Sequence, residues 1–165
     1  MAKSEQGQRT MQELLAMLRA GYMTYRTGHW QTEGTGYYGK HLLLQRIYED
    51  AEKHVDMVAE RTVGMWGPGA VDQRQQSKMV QRFMAQFAEI EDPIEQALEA
   101  ARSIRDKLQA TYDVLEDTGD LNLGTDDLLM SIANDKEEHI YLLQQALERK
   151  PAPEENPRKL KRRLL

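Results

Sequence analysis

Apolar residues recur along this chain with a helical period of 3.6, and no alternating, strand-like stretch competes with them. In the first segment Met11, Leu14, Leu15, Leu18, Tyr22 and Tyr25 follow the i, i+3, i+4, i+7 spacing of one buried face. A second helix is predicted after Gly36, carrying Leu43, Ile47, Tyr48, Ala51, Val55, Val58 and Ala59, and stopping near Gly64 before the breaker Gly67-Pro68-Gly69. A third opens at Asp92-Pro93, where the aspartate caps the helix and proline loses nothing by lacking an amide donor. Its stripe is Ile94, Leu98, Ala101, Ile104, Leu108 and Leu115. The fourth is expected to open at Thr125, with Asp126 and Asp127 at the positive end of the helix dipole. It carries Leu128, Leu129, Ile132, Ile140, Leu143 and Leu147 and ends before Pro151.

The connections say how these helices pair. Helices one and two are joined by a few residues, as are three and four, through Gly119 to Gly124. A much longer crossover separates the two pairs, with a short extra helix expected around Gln75 to Phe87. The prediction is an all-α four-helix bundle over residues 1–150, two hairpins linked by that crossover in the ferritin-like manner. Residues 151–165 are expected to form a flexible, proline-containing basic tail. A chain of 165 residues with 40% hydrophobic and 30% charged positions is long enough for one domain with a true core. It has no cysteine, so disulfides and thiolate metal sites are excluded. The N-terminal MAKSEQGQRT lacks the apolar run of a signal peptide, and no stretch is long and apolar enough to span a membrane. A cytoplasmic protein is expected. The net charge of -5 argues against a generally basic nucleic-acid surface.

Candidate chemistry is concentrated between His29 and Arg61. His29 and His41 flank the turn containing Gly34 and Gly36, while Asp56 and Glu60 lie one helical turn apart. Imidazole and carboxylate together suit iron, manganese or zinc. On a straight helix rising 1.5 Å per residue, His41 and Asp56 stand roughly 22 Å apart, so they cannot share an ion within one chain. Two antiparallel copies of the second helix about a two-fold axis could bring them together, making two identical sites per dimer. Surface charge and capping account for the same residues without any metal. A metal centre inside the bundle would use Glu-x-x-His pairs. Three residues before His54 stands Ala51, and three before His139 stands Lys136, which weighs against such a centre. A structural, hydrogen-bonded role is expected for His139, and a solvated position for His54.

The run His29-Trp30, Gly34, His41-Leu42-Leu43, Ile47-Tyr48, Asp56 and Ala59-Glu60-Arg61 resembles the signature of the Dps family, the ferritin-like DNA-binding proteins from starved cells. The resemblance continues through Gly119-Asp120, Thr125-x-Asp127-Leu128-Leu129 and Lys136-x-x-His139-Ile140-x-x-Leu143-Gln144, covering all but the tail. It implies a hollow shell of twelve copies that oxidises iron, preferably with hydrogen peroxide, at sites between two-fold-related subunits. The ligands implied are His29 and His41 of one subunit with Asp56 and Glu60 of the other, holding one or two iron ions. Gln45 departs from the pattern, since the family commonly has an aspartate four residues after the second histidine. A neutral amide is a weaker partner for a cation, so a weaker second iron position is expected. Trp30 either anchors the hairpin or quenches radicals beside the iron. Asp120 and Asp127 fall where the family gathers acids around a three-fold pore, although helix capping explains Asp127 equally well.

In the tail, a proline-rich spacer leads to the cluster Arg158, Lys159, Lys161, Arg162 and Arg163. On a multi-copy shell such tails would engage DNA together, each with a log-log salt slope of roughly -4 to -5 if all five charges met phosphates. Leu160, Leu164 and Leu165 also allow a short helical peptide that docks on a partner protein. The rival to an iron-oxidising store, motivated by Gln45, is a structural DNA-compacting shell whose metal centre is weak or idle.

Overall fold

The computed structural model describes residues 4–148, so the basic cluster Arg158, Lys159, Lys161, Arg162 and Arg163 lies outside the described residues. Five helices follow in order: α1 (Glu5–Gln31), α2 (Tyr37–Trp66), α3 (Gln73–Met84), α4 (Pro93–Asp117) and α5 (Leu123–Glu148). A single 3₁₀ turn, Pro68–Ala70, precedes α3, and no strand occurs among the described residues. The four long helices form the expected bundle, with α1 packed on α2 and α4, and α5 on α4 and α2. The crossover helix α3 lies against α1. No helix among the described residues is long and apolar enough to cross a membrane.

Local chemistry starts and stops each element. The Ser4 hydroxyl accepts from the Gly7 amide to open α1, and the Asp72 carboxylate accepts from Gln75 to open α3. Asp92 caps α4 by accepting from the amides of Ile94 and Glu95, with Pro93 at the first helical position as expected. The fourth long helix begins earlier than Thr125. Asn122 accepts from the Thr125 amide through its side-chain oxygen and takes the capping role. Likewise α2 runs past Gly64 to Trp66 and stops at Gly67, whose φ of 86° ends the helical path. Gly64 is a tolerated interior glycine, because the breaker is the left-handed conformation three residues later.

The core is the predicted apolar stripe closed on itself: Met11, Leu14, Leu15 and Leu18 meet Leu44, Ile47 and Val58, with Ile104, Leu108, Leu129, Ile132 and Leu143 opposite. α3 is pinned by buried amides. The Gln12 side chain donates to the Ala70 carbonyl at 2.7 Å, and Gln76 donates to the Gln12 carbonyl at 2.9 Å. Between α1 and α4 the Lys107 ammonium meets Glu13 at 2.6 Å.

Candidate functional site

The turn between α1 and α2 brings His29 and His41 together. Thr32 closes α1 by donating its hydroxyl to the Gly28 carbonyl at 2.6 Å. Gly34 and Gly36 then take positive φ values of 72° and 76°, a conformation L side chains resist. The chain reverses in five residues, and the two imidazoles stack with centroids 3.7 Å apart and planes 24° off parallel. Each ring binds the other residue's backbone: His29 Nδ1 lies 2.9 Å from the His41 carbonyl, and His41 Nδ1 lies 2.9 Å from the His29 carbonyl. A carbonyl only accepts, so both rings carry their proton on Nδ1. Nε2 is thereby the lone-pair nitrogen of each, the tautomer that a cation requires.

Aromatic rings fix the pair from the sides. Tyr37 stacks on His41 at 5.1 Å, and Tyr48 presents an edge to His29 at 5.2 Å. The Arg26 guanidinium lies over Tyr22, Trp30 and Tyr48, between 5.5 and 5.8 Å from each centroid. Trp30 itself is 66% exposed, so it rests against a cation at the surface and is not a buried anchor of the hairpin. The Gln45 amide donates to Glu49 at 2.9 Å, which leaves its carbonyl oxygen as the atom it would offer a cation. The supporting roles of Tyr37 and Glu49 were overlooked in the sequence. The signal was there, since each stands one helical turn from a singled-out residue, His41 and Gln45 respectively.

Asp56 and Glu60 share the exposed face of α2. Asp56 edges a shallow hollow with Glu52 and Lys53, and Glu60 another with Arg61 and Asn122. Because α2 is one uninterrupted helix, Asp56 stands a rise of roughly 22 Å and Glu60 roughly 28 Å from His41. Among the described residues of a single chain, no three His, Asp or Glu side chains converge as a metal-holding group. One chain thus presents two separate groups, a histidine pair at one end of α2 and a carboxylate pair near the other.

One expectation changes. His54, expected in solvent, is 4% exposed, with Nε2 2.8 Å from Asp135 on α5. It lies on the opposite side of α2 from Asp56, and that side is the core, between Ala51 and Val58. Asp120, expected near a pore, is 3% exposed. Its carboxylate accepts from the Ser4 amide, the Ser4 hydroxyl and the Thr118 hydroxyl, tying the start of α1 to the turn between α4 and α5. Asp127 is exposed.

His139 is fully buried, as its apolar neighbours implied, and Nε2 lies 3.3 Å from Asp50. Burial, helped by the Lys136 charge, pushes its pKa down to about 4 from 6.5. The unfolded chain therefore takes up this proton first on acidification. Stability should fall as pH drops from about 6.5 to about 4, by on the order of 3 kcal/mol from this group. Chemical denaturation across that window checks it, and His139→Gln should flatten the dependence.

The ferritin-like domain family model matches residues 8–151. The chain belongs to the ferritin-like family. Within that family its fold is similar to Dps from Thermosynechococcus elongatus, with a TM-score of 0.73 and 22% identity over 89% of this chain and 93% of that one. DpsC from Streptomyces coelicolor superposes with a TM-score of 0.74 and 23% identity, covering 89% of this chain and 86% of that one. Dps from Vibrio cholerae, described as a member of a broad superfamily of ferritin-like diiron-carboxylate proteins, gives 0.73 and 20% identity over 90% and 98%. No curated protein matches this ferritin-like chain in sequence.

Proposed function

We propose that this chain is a Dps-type ferroxidase and iron store, in which two copies related by a two-fold axis reunite the half-sites. The observation that carries the reading is the reciprocal lock of His29, at the end of α1, and His41, at the start of α2, which sets both Nε2 lone pairs beside the helix that bears Asp56 and Glu60 near its other end. Fe(II) is the substrate. His29 and His41 of one subunit, with Asp56 and Glu60 of its partner, would receive one or two ions per site. The carboxylates favour the higher charge of the ferric product, and neutral imidazoles accept the softer ferrous ion. With hydrogen peroxide as oxidant, two Fe(II), one H₂O₂ and two waters give two FeO(OH) and four protons. Peroxide leaves as oxide and hydroxide, and each iron gives one electron.

The resulting ferric mineral would collect inside a hollow homo-oligomer, a dodecamer in this reading. An exposed acidic ring including Asp127 would draw cations inward, and consuming iron with peroxide would protect DNA. Trp30 would give an electron to a stray oxidant, a role that its exposure and its contact with Arg26 support. The assay is the rise in ferric absorbance after Fe(II) and peroxide are mixed. His29→Ala and Asp56→Ala should each slow it at least tenfold, and equal rates in all three proteins would favour the DNA-compacting shell instead.

Gln45 bears on iron occupancy. Gln45→Asp puts an anionic oxygen one turn from His41 and should tighten the second ferrous ion of each site by about tenfold. Calorimetric titration with Fe(II) under anaerobic conditions checks this. Two equally tight ions already in the natural chain would remove the amide's supposed effect.

A further inference from the structure

Ferritin-like bundles that hold two metals inside one chain use a glutamate from each of two helices and a Glu-x-x-His pair from each of the other two. Here α2 has Ala51-x-x-His54 and α5 has Lys136-x-x-His139. Both histidines are buried in the bundle interior, at 4% and 0% exposure. The carboxylates that should precede them are missing. On α1 the large buried side chain beside Lys136 is Tyr25, and α4 contributes Ile104 and Leu108 to the same core. These residues do not fit a di-metal centre.

What stands there is an organised cationic cluster. Lys136 is fully buried, its ammonium 5.5 Å from the Tyr25 ring centroid and 3.4 Å from His139 Nδ1. An ammonium can only donate, so His139 accepts on Nδ1 and gives its Nε2 proton to Asp50 at 3.3 Å. The chain Lys136 to His139 to Asp50 is thus a directed relay of hydrogen bonds from buried cation to anion. Across from it His54 spends Nε2 on Asp135, while its Nδ1 is buried without a partner, as is the Tyr25 hydroxyl. Burial lowers the Lys136 pKa to about 8, opposed by Asp135 and Asp50, so the ammonium persists at neutral pH.

We infer that Lys136 is a resident cation that closes the bundle interior to divalent metal. Its ammonium occupies the one Nδ1 lone pair on α5 that an ion would need, and its charge repels a second cation from the unpartnered Nδ1 of His54. Both histidines of an interior centre are kept, but a covalently tethered positive charge stands in place of a diffusible one. Metal chemistry is then confined to the protein's other donor groups. The inference does not depend on iron being oxidised between subunits.

Cobalt(II) tests it, since its visible spectrum reports nitrogen and oxygen ligation without any redox step. In assembled protein carrying His29→Ala and His41→Ala, no cobalt should bind in the interior. Adding Lys136→Glu, which completes the carboxylate-x-x-histidine pair, should create about one cobalt site per chain. A further His139→Ala should abolish it. Should Lys136→Glu fail to fold by circular dichroism, Lys136→Met, similar in volume and uncharged, should bind cobalt at least tenfold more tightly than the lysine-bearing parent. No gain in a folded variant overturns the inference. So does an anomalous diffraction peak between His54 and His139 in cobalt-soaked crystals of the natural chain, where none is expected.

Discussion

Chains carrying His29→Ala, co-assembled in equal amounts with chains carrying Asp56→Ala, should recover about a quarter of the natural Fe(II) oxidation rate, although each variant alone is nearly inactive. A quarter is what the proposed two-fold arrangement requires. In a mixed dimer one site draws its histidines from the Asp56→Ala chain and its carboxylates from the His29→Ala chain, so all four ligands are intact. The second site of that dimer lacks both. Random pairing makes about half of the dimers mixed, each with one good site of two. A centre built within one chain predicts no recovery, because every chain carries a lesion. The measurement is the initial rate of ferric absorbance with peroxide, taken on unfolded and refolded mixtures of known ratio. Recovery that stays at background while the mixed assemblies reach full size would sink the intersubunit site.

Asp120→Ala is expected to be the most costly of the exposed-looking acidic substitutions, at about 3 kcal/mol, lowering Tm by about 6–12 °C. The carboxylate accepts from the Ser4 amide at 3.1 Å, the Ser4 hydroxyl at 2.5 Å and the Thr118 hydroxyl at 3.1 Å. Removing it strands donors in a site that is 3% exposed, and each lost partner costs about 1–3 kcal/mol. It also frees the Ser4 hydroxyl, which caps α1 by accepting from Gly7 at 2.8 Å. The packing is close enough that a Cβ on Gly7 would collide with the Asp120 carboxylate and force it to shift. Thermal unfolding at matched protein concentration decides the matter. A Tm within 2 °C of the natural chain, together with slowed iron uptake, would instead support the pore role that the Dps resemblance implies.

Much of this molecule is written in local pattern. The period-3.6 stripes of α1, α2, α4 and α5 gave the long helices, because a helix with one apolar face has few ways to bury it. Asp92-Pro93 marked a helix start, since capping is chemistry within three residues. The separation of His41 from Asp56 could also be read directly, as helix rise per residue is fixed. The surroundings of each side chain were decided by packing. His54 and Asp120 are polar residues whose partners, Asp135 and Ser4, lie 81 and 116 positions away in the chain. No local signal distinguishes such a group from one in solvent. The reciprocal bonds between His29 and His41 likewise depend on how tightly the turn closes, which Gly34 and Gly36 permit but do not impose. Sequence alone determined which residues can bind or bury. Tertiary structure decided which lone pairs and charges are already spent, because hydrogen bonds act over about 3 Å and only the assembled bundle fixes distances on that scale.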